Sequence, residues 1–189
     1  MIMKRFILSS LISMFALMNV NAQVTVTEPE FAEETLLLIS DNEGILLKRE
    51  NGTIKAKAGA SLYLTGIGKV KSRLTLKGVQ SVNEVKGSST TRLIIKGKDN
   101  LTDPNSFINI FKFEVTGKER RYLLAEVGTL SKSESNNLSS VEYKAKKYGD
   151  SSYLITITDL TPGEYGIVIG DPNNANTKNG MKVTSFTVE

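Results

Sequence analysis

The chain has 189 residues, with 24 Lys and Arg against 20 Asp and Glu, and no His, Cys or Trp. Without imidazole or thiolate, Ser-His-Asp and Cys-His nucleophile systems, zinc sites and haem ligation are excluded, because those chemistries require these groups. The near-even charge balance gives no case for nucleic acid. What remains open is carboxylate-pair glycoside chemistry, Ser-Lys nucleophiles and oxygen-ligated calcium.

Lys4 and Arg5 precede an apolar run over residues 6–18, and Val20-Asn21-Ala22 follows with small residues at its outer positions. This order predicts a cleavable secretory signal peptide over residues 1–22, cut near Ala22-Gln23, and hence a secreted or periplasmic protein. The run is too short to span a bilayer, and no later stretch reaches the roughly 18 to 20 apolar residues of a membrane helix. No Cys stands near the cut to accept a lipid. Removal of the peptide takes only two charges, leaving 22 cations against 20 carboxylates. A Cys-free exported chain has no disulfide framework, so a hydrophobic core must hold it together.

From residue 24 onward the dominant signal is period-2 alternation in runs closed by turn residues, and helical periodicity is absent. Strands are expected at 24–27, 35–40, 45–49 and 53–58, with a turn at 41–44 and an Asn51-Gly52 hairpin, both of whose residues tolerate positive φ. Further runs at 61–65, 70–77, 79–85 and 92–96 follow. Residues 107–115 are apolar on one face at Phe107, Phe111, Phe113 and Val115 and on the other at Ile108 and Ile110, which suits a central strand covered on both sides. Runs at 121–127, 138–145, 152–158, 165–169 and 181–188 complete about a dozen strands, with a Ser- and Asn-rich loop at 129–137. The expected fold is an all-β, antiparallel β-sandwich, Ig-like or jelly-roll-like, over residues 23–189. It forms either one unit or two small lobes, 23–98 and 105–189, divided near 97–105.

One local pattern is more specific. Asp159-Leu160-Thr161-Pro162-Gly163-Glu164-Tyr165 runs into Gly166-Ile167-Val168-Ile169. Pro-Gly presets a type II turn, and the Tyr beyond it places its ring in the core and its hydroxyl on nearby backbone. This resembles the L-x-P-G-x-Y corner of prealbumin-like and other Ig-like sandwich domains and is similar to the tyrosine corner. The wider order, a Gly- and Lys-rich β region, Asp103-Pro104 before residues 107–113, Arg120-Arg121 and then this corner, looks like a group of uncharacterised exported bacterial β-sandwich proteins. That resemblance implies a fold and brings no catalytic residues.

The feature with the best claim to function is basic. Lys69, Lys71, Arg73 and Lys77 fall on alternate positions of one strand, opposite Val70, Leu74 and Leu76, and Lys55 and Lys57 repeat the pattern. If the two strands pair, the six cations share a face suited to an anionic glycan, lipopolysaccharide or another envelope polyanion. The competing reading is a solvated face whose lysines guard against edge-to-edge aggregation. Arg120-Arg121 and Lys144, Lys146 and Lys147 extend the basic theme.

Carboxylates offer less. The Asx-rich loops 99–105 and 171–176 lack the D-x-[DN]-x-[DN]-G calcium pattern and suit turn formation. Glu33, Glu34, Glu84, Asp99, Glu119 and Glu126 have no spacing that links them as a glycosidase pair. Ser131-Lys132-Ser133 sits in a polar loop where nothing depresses a Lys pKa. The sequons at Asn51, Asn100 and Asn137 fit chance in a chain rich in these residues. Trp is absent, so sugar stacking would fall to Tyr63, Tyr148 or Tyr153. The reading favoured is a non-catalytic binding or structural module of the cell envelope or exterior, with no cofactor, no metal and no nucleic acid. The alternative is a carboxylate-dependent glycan-active enzyme.

Overall fold

Alternating apolar and polar residues fold here, as expected, into strands. The computed structural model describes residues 23–86, 89–128, 140–170 and 180–189. The expected signal peptide and loops 129–137 and 171–176, with the Ser-Lys group and the Asn137 sequon, lie outside them.

In chain order come β1 (Thr35–Leu38), β2 (Gly44–Leu46), β3 (Arg49–Ala58), helix α1 (Ala60–Thr65), β4 (Lys69–Lys77), β5 (Glu84–Val85) and β6 (Thr90–Lys96). A 3-10 turn over Pro104–Ser106 leads to β7 (Ile108–Lys112), β8 (Glu114–Thr116), β9 (Glu119–Gly128), β10 (Lys144–Tyr148), β11 (Ser152–Thr158), β12 (Gly163–Ile169) and β13 (Met181–Val188). One sheet has five strands in the order β10-β11-β6-β1-β2. The other has eight, in the order β7-β12-β13-β3-β4-β9-β8, with β5 pairing parallel to the end of β13 and every other pair antiparallel. The result is an all-β sandwich. Each sheet takes strands from both sides of residues 97–105.

The main core lies between the sheets. Leu37, Leu93, Ile95, Tyr153, Ile155 and Ile157 of the smaller sheet meet Ile108, Ile110, Tyr165, Ile167, Phe186 and Val188 of the larger. Several of these are fully buried, and each such side chain stabilises the fold by about 1.5–3 kcal/mol. A second cluster fills the opposite face of β7, β12 and β13, where Phe111, Phe113, Val168, Met181 and Val183 pack on Leu74, Leu76, Tyr122 and Leu124. The β4-β9-β8 wing therefore folds back over the larger sheet. Ile108 and Ile110 face the main core and Phe111 and Phe113 the second one, as the double-sided pattern implies, but Phe107 packs against the main core and Val115 is exposed on β8. Among the described residues β7 ends its hydrogen-bonded sheet instead of standing at its centre, and its outer edge is met by a bridge from Phe111 to Ser140 and by Val141 N donating to Ile110 O.

The wing turns at Gly52. Up to Gly52, β3 pairs with β13; from Thr53 onward it pairs with β4. The expected Asn51-Gly52 hairpin is not a turn but the middle of a ten-residue strand. Glycine is needed for closeness instead, since a Cβ there would lie 2.5 Å from Leu74 Cδ1. Residues 61–65, expected as a strand, form α1. Ala60, Leu62 and Leu64 are good helix formers, Gly66 closes the helix at φ 71, and alternation over so few residues fits either state. Of the run expected at 79–85, only Glu84 and Val85 pair as a strand.

The segment expected as a first strand, 24–27, makes no ladder. It straps the outer side of the five-stranded sheet, with Thr25 N donating to Asp41 O and the Tyr148 hydroxyl donating to Val26 O. Glu28 ends the strap by accepting from Asp150 N and Ser151 N, each at 3.0 Å. Burial alone would raise the Glu28 carboxyl, but the nearby Ser152 hydroxyl, these two N–H donors and Lys96 together hold it below its ordinary value.

At the corner, Tyr165 is buried and its hydroxyl donates to Thr161 O at 2.6 Å. The turn before it is not type II. Gly163 has φ 147, away from the roughly +80° of type II, and already belongs to β12; the left-handed residue is Asp159, at φ 56.

Candidate functional site

Pairing of β3 with β4 puts Lys55 opposite Arg73 and Lys57 opposite Lys71. Because directly opposed residues share a face, Lys55, Lys57, Lys69, Lys71, Arg73 and Lys77 are brought onto the outer side of the wing. Their inward neighbours Leu74 and Leu76 enter the second core. The neighbouring strands add charges that the alternation within 53–77 does not reveal. β9 contributes Arg121 opposite Thr75, Glu119 opposite Lys77 and Glu126 opposite Lys71, and β8 contributes Glu114 opposite Arg121. The face thus carries seven cations and three carboxylates among the described residues.

Part of that charge is neutralised locally. Glu126 is shared by Lys69 and by Lys71, whose Nζ lies 2.8 Å from Oε2. Lys69 first and Lys71 second hold the Glu126 carboxyl down to about 2. Glu119 accepts from Lys55 at 2.8 Å and pairs with Arg121 at 3.1 Å, and these two cations, Lys55 first, lower it as well. No ion pair is formed by Lys57, Arg73 or Lys77 among the described residues. Lys57 and Lys77 are exposed and Arg73 is half-buried, so their positive charge is available to a ligand.

Beneath the face lies a network that sequence reasoning missed. Arg120, adjacent to outward Arg121, points inward and is fully buried. It donates to both oxygens of Glu50, at 3.1 and 2.8 Å, to Ser185 Oγ at 3.0 Å, and to the carbonyls of Lys77 and Gly78 at 3.1 and 3.3 Å. Glu164 Oε2 lies 3.6 Å away and accepts from Ser81 N, while Glu164 Oε1 accepts from Thr187 Oγ1. Two carboxylates are therefore close together, but locked on one guanidinium and on hydroxyl and N–H donors. The only local signal was that Arg120 falls on the parity of Tyr122.

No protein-family model, curated protein or solved structure matches this chain. The remaining candidate residues are placed by geometry alone. Glu33 and Asp99 line one cavity of about 340 Å³ with Lys98, Thr102, Phe107 and Ile169. Glu33 has φ 68 and pairs with Arg49 at 3.4 Å. Glu34 closes its own turn, accepting from Phe31 N, and Glu84 is exposed on β5. In the 99–105 loop, Asp99 and Asp103 accept from Leu101 N and Asn105 N, the bonds of Asx turns. No group of three or more Asp or Glu side chains is gathered as a metal site among the described residues. Tyr153 is buried and donates to Thr102 O at 2.6 Å, and Tyr148 is tied to Val26, which leaves Tyr63 exposed. Lys144, Lys146 and Lys147 lie on β10, in the other sheet. No helix among the described residues is long and apolar enough to cross a membrane.

Proposed function

We propose that this chain is an exported, non-catalytic binding module of the cell envelope or exterior, taking an anionic glycan or similar envelope polyanion on the outer face of β3, β4 and β9. The observation that carries this reading is the excess of cations there, with Lys57, Arg73 and Lys77 free of carboxylate partners among the described residues. A sheet face with an excess of cations concentrates an anionic polymer and needs no enclosed pocket. The N-terminal n-region, h-region and small-residue cut support export, and the Tyr165 corner supports kinship with exported sandwich proteins of the L-x-P-G-x-Y kind.

Retention on an anionic polymer column, run against increasing salt, tests it. The triple variant Lys57→Glu, Arg73→Glu, Lys77→Glu should elute at clearly lower salt than wild type. A charge-matched control, Lys144→Glu, Lys146→Glu, Lys147→Glu, should elute later than that triple. Equal elution of the two triples would reduce the effect to net charge and end the proposal.

A second reading, a carboxylate-dependent glycan-active enzyme, is favoured by one observation: Glu33 and Asp99 share a cavity. Release of reducing ends from a polysaccharide, abolished by Glu33→Gln or Asp99→Asn, would support it. The absence of release from a panel of glycans that bind would oppose it.

A further inference from the structure

We propose that the far end of the β3–β4 arm is a membrane-docking tip: Tyr63, Leu64 and Ile67 enter the headgroup–acyl boundary of an anionic lipid bilayer, and the lysines behind them hold the headgroups. This goes beyond the polyanion reading, because it rests on an apolar feature that a soluble polymer does not use.

The arm leaves the body of the protein. Burial on β4 stops at Leu74; none of Lys69 to Arg73 is buried, and none of Lys55 to Ala58 on β3. At its end α1 contains no buried residue. Tyr63 is 79% exposed, Leu64 83% and Ile67 56%, so large apolar side chains are held in water by a turn that Gly59 and Gly66 shape. Nothing in the second core needs them.

Charge decides what covers them. Between Glu50 and Glu84 the sequence has no carboxylate, while Lys55, Lys57, Lys69, Lys71, Arg73 and Lys77 fall in that interval; β9 sets Glu126 against Lys69 and Lys71, which leaves Lys57, Lys69 and Lys71 facing one carboxylate at this end among the described residues. Lys57 and Lys71 are cross-strand partners just behind α1. At about 3.3 Å per strand residue they stand roughly 10 Å back from the helix. An interfacial apolar element sinks only about 5–10 Å below the headgroups, so a seated tip leaves these lysines in the headgroup layer. Three side chains are far too little for a stable protein partner, which takes about 800 Å² from each side. A fluid bilayer sets no such requirement, and anionic lipids attract each cation close to the surface.

The chain has no Trp, so Leu64→Trp supplies a single reporter at the tip. With vesicles of phosphatidylcholine mixed with phosphatidylglycerol, its emission should shift to the blue and be quenched by brominated acyl chains. Phosphatidylcholine alone should give a much smaller change. The variant Tyr63→Ser, Leu64→Ser, Ile67→Ser should lose roughly tenfold or more in vesicle cosedimentation, yet elute from the anionic polymer column with wild type. Such a split separates this proposal from the polyanion reading, which fails instead if column retention is insensitive to Lys57, Arg73 and Lys77. An unshifted emission on mixed vesicles, or a serine variant that cosediments like wild type, would overturn the docking tip. So would concentration-dependent self-association without lipid that the serine variant removes, since the tip would then belong to a second copy of the chain.

Discussion

Replacing Arg120 with Met keeps most of its volume and removes its charge from the most buried ionic network among the described residues. All five guanidinium N–H donors are used, on Glu50, Ser185 and the carbonyls of Lys77 and Gly78. Loss of Arg120 leaves Glu164, whose side chain is 6% exposed, and Glu50, at 24%, facing each other without their cation. Removing one partner of a buried pair costs about 3–5 kcal/mol, against a total stability on the order of 5–15 kcal/mol for a domain. Guanidinium denaturation of the two proteins should show that loss as a lower midpoint with an unchanged slope. Because the cost comes from stranded charge, Arg120→Met combined with Glu50→Gln and Glu164→Gln should recover at least about half of it. A single variant that loses less than about 1 kcal/mol, or a triple variant no better than the single, would refute the assignment of this network as a structural anchor.

Other outcomes follow from individual contacts. Tyr165→Phe removes the hydroxyl bond to Thr161 O at the corner and should cost about 0.5–1.5 kcal/mol, seen as a fall of a few degrees in Tm. The Glu126 carboxyl, followed by NMR, should titrate near 2 and not near its ordinary value, because Lys69 and Lys71 stabilise its charged form. Its folded pKa being the lower one, the stabilisation from these pairs is present above the ordinary carboxylate value and lost as pH falls through about 2. Glu126→Gln should release both lysines and raise the salt needed to elute the protein from an anionic polymer; earlier elution would contradict the proposed face.

The strands were legible because burial on one or two sides imposes period-2 alternation. Runs such as 152–158 and 181–188 coincide with β11 and β13. Glycine is no turn signal at Asn51-Gly52, because Gly52 answers to the close approach of Leu74, which is distant in sequence. The helix at the tip was missed because six residues cannot separate a helical period from a strand period. Alternating lysines on 69–77 disclosed the basic face, and cross-strand pairing with 53–58 completed it. The carboxylates that temper it, Glu119 and Glu126, arrive from β9 through a register no local pattern encodes. The Arg120 network is more remote still, joining Glu50, Glu164 and Ser185 across most of the chain.

We propose the outer face of β3, β4 and β9 as the place where ligands bind. Amide chemical-shift mapping with a soluble anionic oligosaccharide tests it most directly. Perturbations should cluster at Lys57, Arg73, Lys77 and their cross-strand neighbours Lys71 and Lys55. Perturbations centred on the cavity of Glu33 and Asp99, or on Lys144 to Lys147 of β10, with the wing unmoved, would contradict it.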